Sequence, residues 1–127
     1  MNENAIVEEL YGAVIEHGLM NTICAVFGKG CKIEMGYTKE LCDTQVKDLD
    51  LTVRSYNALM RAGCNTVGET ITAINEMDLL KFRNLGVKSV AEIRALILEY
   101  GYANLSERKK KEFLRNLVRL NCKKDAR

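Results

Sequence analysis

Residues 63–69 read Gly-Cys-Asn-Thr-Val-Gly-Glu, residues 86–92 read Gly-Val-Lys-Ser-Val-Ala-Glu, and residues 101–107 read Gly-Tyr-Ala-Asn-Leu-Ser-Glu. All three share the pattern Gly-x-x-[Thr/Ser/Asn]-x-x-Glu. A glycine just past a helix can take the left-handed conformation that closes it, and Thr66, Ser89 or Asn104 can cap the helix that follows. Glu69, Glu92 and Glu107, three residues further on, can then close capping boxes. These signals predict helix, tight turn, helix over 53–121. Their spacings of 23 and then 15 residues are too irregular for a solenoid.

Between the turns the apolar residues recur at steps of three and four: Val53, Leu59 and Met60 with Ala62, then Val67, Ile71 and Ile74, then Val90, Ile93, Leu96 and Ile97. These are the expected core faces of short helices. The one strand-like run, Lys32 to Met35, is too short to matter. The expected fold is all-α.

Further out, Ile6, Leu10, Ala13, His17, Met20, Cys24 and Phe27 fall at alternating steps of four and three, a heptad stripe that Val7, Tyr11 and Val14 widen. The stripe can cover a neighbouring helix, a second copy of the protein or a docked partner. Gly12 and Gly18 argue against a long rigid coiled coil. Residues 28–46 carry no clear pattern. At the other end, Phe113, Leu114, Leu117 and Val118 line one side of an amphipathic helix over 105–121, with Arg108 to Lys111 opposite. Those cations are either a solvated face or a surface for phosphate.

Charge is uneven along the sequence. Residues 1–46 hold three Lys against seven acids, 47–103 hold seven of each sign, and 104–127 hold nine basic residues against three acids. The acidic front and basic tail either pack on each other or form two separately solvated faces. The whole sequence of 127 residues carries a formal charge of only +2, so nucleic-acid binding requires a local patch. The composition fits one compact domain with extensions: 1–46 as an N-terminal helical extension, 47–103 as the central domain, and 104–127 as a basic helix and tail.

No basic signal region opens the sequence. Its longest uncharged run, 17–28, falls short of the roughly 18 apolar residues that a membrane span needs. Five cysteines without a Cys-x-x-Cys pair read as reduced thiols, and the expected location is cytoplasmic. Catalysis has little support. His17, the single histidine, sits on an apolar stripe and reads as a core or interface residue. His17, Cys24, Cys31 and Cys42 match no usual zinc spacing, and the dispersed glycines form no dinucleotide or P-loop motif. Neither cofactor nor metal is expected.

Two places can act on a ligand. At Asn84-Leu-Gly86-Val-Lys88-Ser89 a glycine lets another backbone approach, and the first amides of a helix point outward with the positive dipole end behind them. Lys88 adds a charge and Ser89 a hydroxyl, a set suited to a nucleic-acid backbone; the alternative is a plain capped turn. Arg54, near the start of a helix after Thr52, shares a face with Asn57 and Arg61. Its guanidinium can enter a narrow minor groove while Asn57 bonds sugar or phosphate. The alternative is an ion pair with Asp50 or another acid.

The stretches DLDLTVRSYNALMRAGCNTVGETI (48–71) and LLKFRNLGVKSVAEIRALILEYG (79–101) resemble the C-terminal domain of the bacterial RNA polymerase α subunit. The similarity runs from about Val46 to Gly101. It implies a compact bundle of four to five short helices related to helix-hairpin-helix modules, here with extra N- and C-terminal helices. It also implies a non-catalytic protein that binds the minor groove of A/T-rich double-stranded DNA in transcription, and hence a place on the nucleoid.

By this resemblance Arg54 is the groove-inserting side chain and Asn57 its helper. Gly86, Lys88 and Ser89 form a backbone cradle with Asn84 beside them, and Glu92 lies at the DNA face unless it serves as a cap. Asp48 and Asp50 match acidic positions that touch a σ factor or activator. Two departures stand out: Val87 where the family usually carries Lys or Arg, and Ala58 where Cys is common. The 46 residues before the similarity cannot hold the α assembly domain, so a free-standing module is expected. The competing expectation is an adaptor of the same fold that binds a σ factor, an activator or RNA polymerase without DNA.

Overall fold

The computed structural model describes residues 2–28, 31–33, 38–75 and 86–122. Among these, seven α-helices run in the order α1 Glu3–His17, α2 Leu19–Phe27, α3 Lys39–Asp43, α4 Val53–Arg61, α5 Val67–Asn75, α6 Val87–Ala103 and α7 Glu107–Cys122. A 3₁₀ turn, Val46–Asp48, precedes α4, and the only strand-like pairing among the described residues is the isolated bridge of Gln45 with Thr66. The all-α expectation holds.

The protein forms two compact units, residues 37–101 and residues 1–36 with 102–127. The divisions therefore fall after residues 36 and 101, and both flanking segments enter one unit.

In the 37–101 unit, local chemistry fixes each helix start. Thr38 and Thr52 cap α3 and α4 by accepting the amides of Leu41 and Ser55, both at 3.1 Å. At α5, Thr66 accepts the Glu69 amide at 3.2 Å, and the Glu69 carboxylate takes the amides of Asn65 and Thr66 at 2.8 and 3.0 Å. That is a complete capping box behind Gly63, whose φ of 79° is the left-handed value the turn requires. The amides of Val46 and Val67 donate to the carbonyls of Asn65 and Thr44, both at 2.9 Å, and so tie the 3₁₀ turn to the start of α5. A Cβ added at Gly68 would lie 3.0 Å from the Cβ of Cys42 and 3.2 Å from its carbonyl oxygen, so glycine permits α3 and α5 to approach this closely. The shared core holds Leu41, Val46, Leu49, Leu59, Val67, Ile74, Ile93 and Ile97.

The expected pattern fits this turn and fails at the other two. At the second, the Val90 amide donates to the Gly86 carbonyl at 3.1 Å, and α6 begins at Val87. Ser89 thus lies inside the first turn of α6 and does not cap it. Gly101 is a buried residue within α6, and the cap of α7 is Ser106, whose hydroxyl accepts the Lys109 amide at 3.2 Å; Asn104 sits in the connecting turn. Ser and Asn are near-equal capping residues, so helix length decides between them.

The other unit answers the question of charge. Its core joins Val7, Leu10 and Val14 of α1, Leu19 and Ile23 of α2, and Phe113, Leu114, Leu117 and Val118 of α7. Above this apolar seam Arg119 grips Glu3 through two bonds of 2.8 and 2.9 Å, and Arg115 reaches Glu3 at 3.3 Å and the Asn4 side-chain oxygen at 3.0 Å. Lys111 joins Glu8 and Glu107 at 3.0 and 3.2 Å and lies 5.0 Å from the Tyr11 ring centre. Acidic front and basic tail pack on each other. Asn121 completes the arrangement, accepting the Lys32 amide at 2.8 Å and donating to its carbonyl at 2.9 Å.

The continuous N-terminal stripe is interrupted. Gly18, at φ 91°, separates α1 from α2, with the Asn21 side chain donating to the His17 carbonyl and the Thr22 hydroxyl to that of Gly18. His17 is consequently not a core residue: its side chain is 62% exposed and lies 3.1 Å from Glu16. Cys24 is exposed as well.

The Arg119 hydrogen bonds, opposed by desolvation and helped by the charges of Arg119 and Arg115, hold the Glu3 carboxyl below its ordinary value of 4.5. A carboxyl lowered by folding stabilises the folded state above its unfolded value and loses that contribution as pH falls through the folded one. Acidification below pH 4.5 is therefore expected to weaken this unit, and Glu3→Gln to flatten that part of the curve. Thermal melts by circular dichroism from pH 6 to pH 3 measure it; identical curves for both proteins would show that the pair contributes nothing.

Candidate nucleic-acid interface

Thr52 sets the rotation of α4. With its hydroxyl on the Ser55 amide, the helix turns Ser55, Ala58 and Leu59 inward, all buried. Arg54, Asn57 and Arg61 are left on the exposed side. Arg54 and Arg61 make no hydrogen bond or ion pair among the described residues, so the pairing of Arg54 with Asp50 is not formed. Val53, expected in the core, is 75% exposed, because at about 100° per residue it stands roughly opposite the buried Ser55 and Ala58.

The second place is the start of α6. Gly86 precedes the helix and is exposed, and a Cβ placed on it would meet nothing within 4 Å. The helix then opens with amides that have no intrahelical acceptor. Lys88 is exposed and Ser89 half-buried. Glu92 has no capping task, since the box with Ser89 is not formed; it stands exposed one turn beyond Lys88. Asn84 lies outside the described residues. Helices α4 and α6 bury Leu59, Ile93 and Ile97 in the same core, so one packed scaffold carries both places.

Asp48 ends the 3₁₀ turn and Asp50 follows it, with buried Leu49 between them anchoring both exposed carboxylates. On α7 the basic run is largely committed within its own unit. Arg108 pairs with Glu112 at 2.8 Å, Lys111, Arg115 and Arg119 take the partners given above, and Lys110 lies 5.5 Å from the Tyr102 ring centre. Burial, and then Tyr11, push the Tyr102 phenol up to about 12.

No group of three or more His, Cys, Asp or Glu among the described residues is arranged to hold a metal ion. Burial, and then Cys24, raise the Cys31 thiol, away from the reactive thiolate. No helix among them is long and apolar enough to cross a membrane.

The profile of the C-terminal domain of the bacterial RNA polymerase alpha subunit matches residues 34–99, just over half of the sequence. The protein belongs to this family. The alpha C-terminal domain is a non-catalytic part of the polymerase. Among its relatives, the DNA-directed RNA polymerase subunit alpha of Rubrobacter xylanophilus is 54% identical over 57 residues, 45% of this protein and 18% of the relative. That of Carboxydothermus hydrogenoformans is 49% identical over 74 residues, 58% of this protein and 22% of the relative. That of an Arthrobacter species is 54% identical over 56 residues, 44% and 16% respectively. The match thus spans only about a fifth of the length of these alpha subunits. No solved structure matches significantly.

The profile match covers the region from α3 to most of α6. Arg61, which the sequence puts on the helical face of Arg54 and Asn57, is exposed there. Its signal lay in the sequence as a step of seven from Arg54.

Proposed function

We propose that this alpha C-terminal-domain protein is a transcription-associated DNA-binding module that recognises A/T-rich duplex through minor-groove shape and the phosphate backbone. The observation that carries the reading is the outer face of α4, where Arg54 and Asn57 are exposed beside a fully packed inner face and Arg54 has no partner among the described residues. A cation held on a rigid helix without a counter-charge is prepared for an external anion, and the narrow groove of an A-tract concentrates negative potential. Gly86, Lys88 and Ser89 support a second, backbone-directed contact: the first amides of a helix, an exposed lysine and an open approach. Asn84 and Glu92 border this place in the sequence. Bound to DNA, the protein would reside on the nucleoid.

The exposed pair Asp48 and Asp50 supports a protein contact as well, with a basic surface of a σ factor, an activator or RNA polymerase. If DNA were dispensable, that contact alone would define an adaptor.

Fluorescence anisotropy with labelled A-tract and G/C-rich duplexes at 50 and 200 mM salt separates the two. Preferential binding to the A-tract, with an affinity that falls as salt rises, is expected. Absence of binding at 50 mM would leave the adaptor, tested by titration with σ factor and polymerase.

A further inference from the structure

We infer that Arg61 anchors the α4 face to a DNA phosphate, an assignment that rests on the DNA reading above and adds a contact to it. Arg61 follows Arg54 by seven residues. At about 100° per residue the two point within about 20° of each other, and at 1.5 Å per residue they stand about 10.5 Å apart along the axis. Asn57 lies between them on the same side, and all three are exposed.

That separation decides the role. The minor groove is about 6 Å wide, so a helix crossing it with Arg54 inserted carries Arg61 past the groove and over the bordering phosphates. There a planar guanidinium can form a forked pair with phosphate oxygens. A task within the protein is available to Arg61 too, because it occupies the last turn of α4 where a cation favours the helix dipole. That task predicts a change in stability and none in DNA binding.

The test compares wild type, Arg61→Gln and Arg61→Lys on the same two duplexes between 50 and 200 mM salt, with melting temperatures as the check on folding. One released counterion contributes a log–log slope of about 0.9. The fourfold salt increase should therefore weaken Arg61→Gln about three- to fourfold less than wild type, and equally on both duplexes. Arg61→Lys, which keeps the charge, should retain the wild-type slope. An unchanged slope in Arg61→Gln, with Arg54-dependent binding intact, overturns the assignment and leaves the DNA reading standing. A loss confined to the A-tract also overturns it, since Arg61 would then lie in the groove. If wild type binds neither duplex, both fall together.

Discussion

Arg54→Ala is expected to erase the preference for A-tract DNA without unfolding the protein. The residue is exposed and has no partner among the described residues, so its removal opens no cavity; surface changes of this kind usually move stability by less than about 0.5 kcal/mol. Its contribution to binding is different in kind. A single well-placed readout contact is worth about 1–3 kcal/mol, roughly 5- to 150-fold in affinity. That loss should fall on the A-tract, whose groove potential the guanidinium senses, while the G/C-rich duplex keeps its weaker backbone-driven binding. Anisotropy titrations of both duplexes read the ratio directly. A variant that still prefers the A-tract would remove Arg54 from the groove.

Leu59→Ala is expected to produce the largest loss of stability. Leu59 is 0% exposed and packs in the core with Val46, Val67, Ile93 and Ile97. A buried Leu→Ala costs about 2–5 kcal/mol through lost transfer energy and the cavity left behind, against a total of about 5–15 kcal/mol for a domain. The urea midpoint should fall sharply. DNA affinity should fall with it, because α4 and α6 hold their exposed groups only while this core is closed. An unchanged midpoint would mean that the core does not hold the two helices.

The α4 face could be read from sequence because its determinants are local. A helix starting after Thr52, with Leu59 inward and Arg54 and Asn57 on one outer face, follows from helical period, although the same count put Val53 inward and the structure exposes it. The turn at Gly63 was legible for the same reason: left-handed glycine, threonine cap and reciprocal glutamate occupy seven consecutive residues. The other two copies of the motif had the letters without the geometry. Whether Gly101 ends a helix or lies inside one depends on what packs against it, and a buried glycine within α6 shows tertiary packing overriding a cost of about 1 kcal/mol.

Distance in sequence accounts for the rest. The pairing of Glu3 with Arg115 and Arg119 spans more than a hundred residues, so charge counts posed the question and only the fold answered it. His17 stands outside the core because a heptad count runs through Gly18, while the backbone breaks there. In the candidate site, the open space around Gly86 is a property that no pattern of letters records.

The unit built from two distant segments has a consequence for the order of events during synthesis. Residues 37–101 are contiguous and can close on themselves once they have left the ribosome. The unit of α1, α2 and α7 cannot: the apolar sides of its first two helices wait for Phe113, Leu114 and Leu117, made some ninety residues later. At about 5–20 residues per second that delay is several seconds, long compared with the microseconds in which helices form. Helices α1 and α2 are thus made before the 37–101 unit, while the sides they pack against α7 stay uncovered until synthesis has passed it.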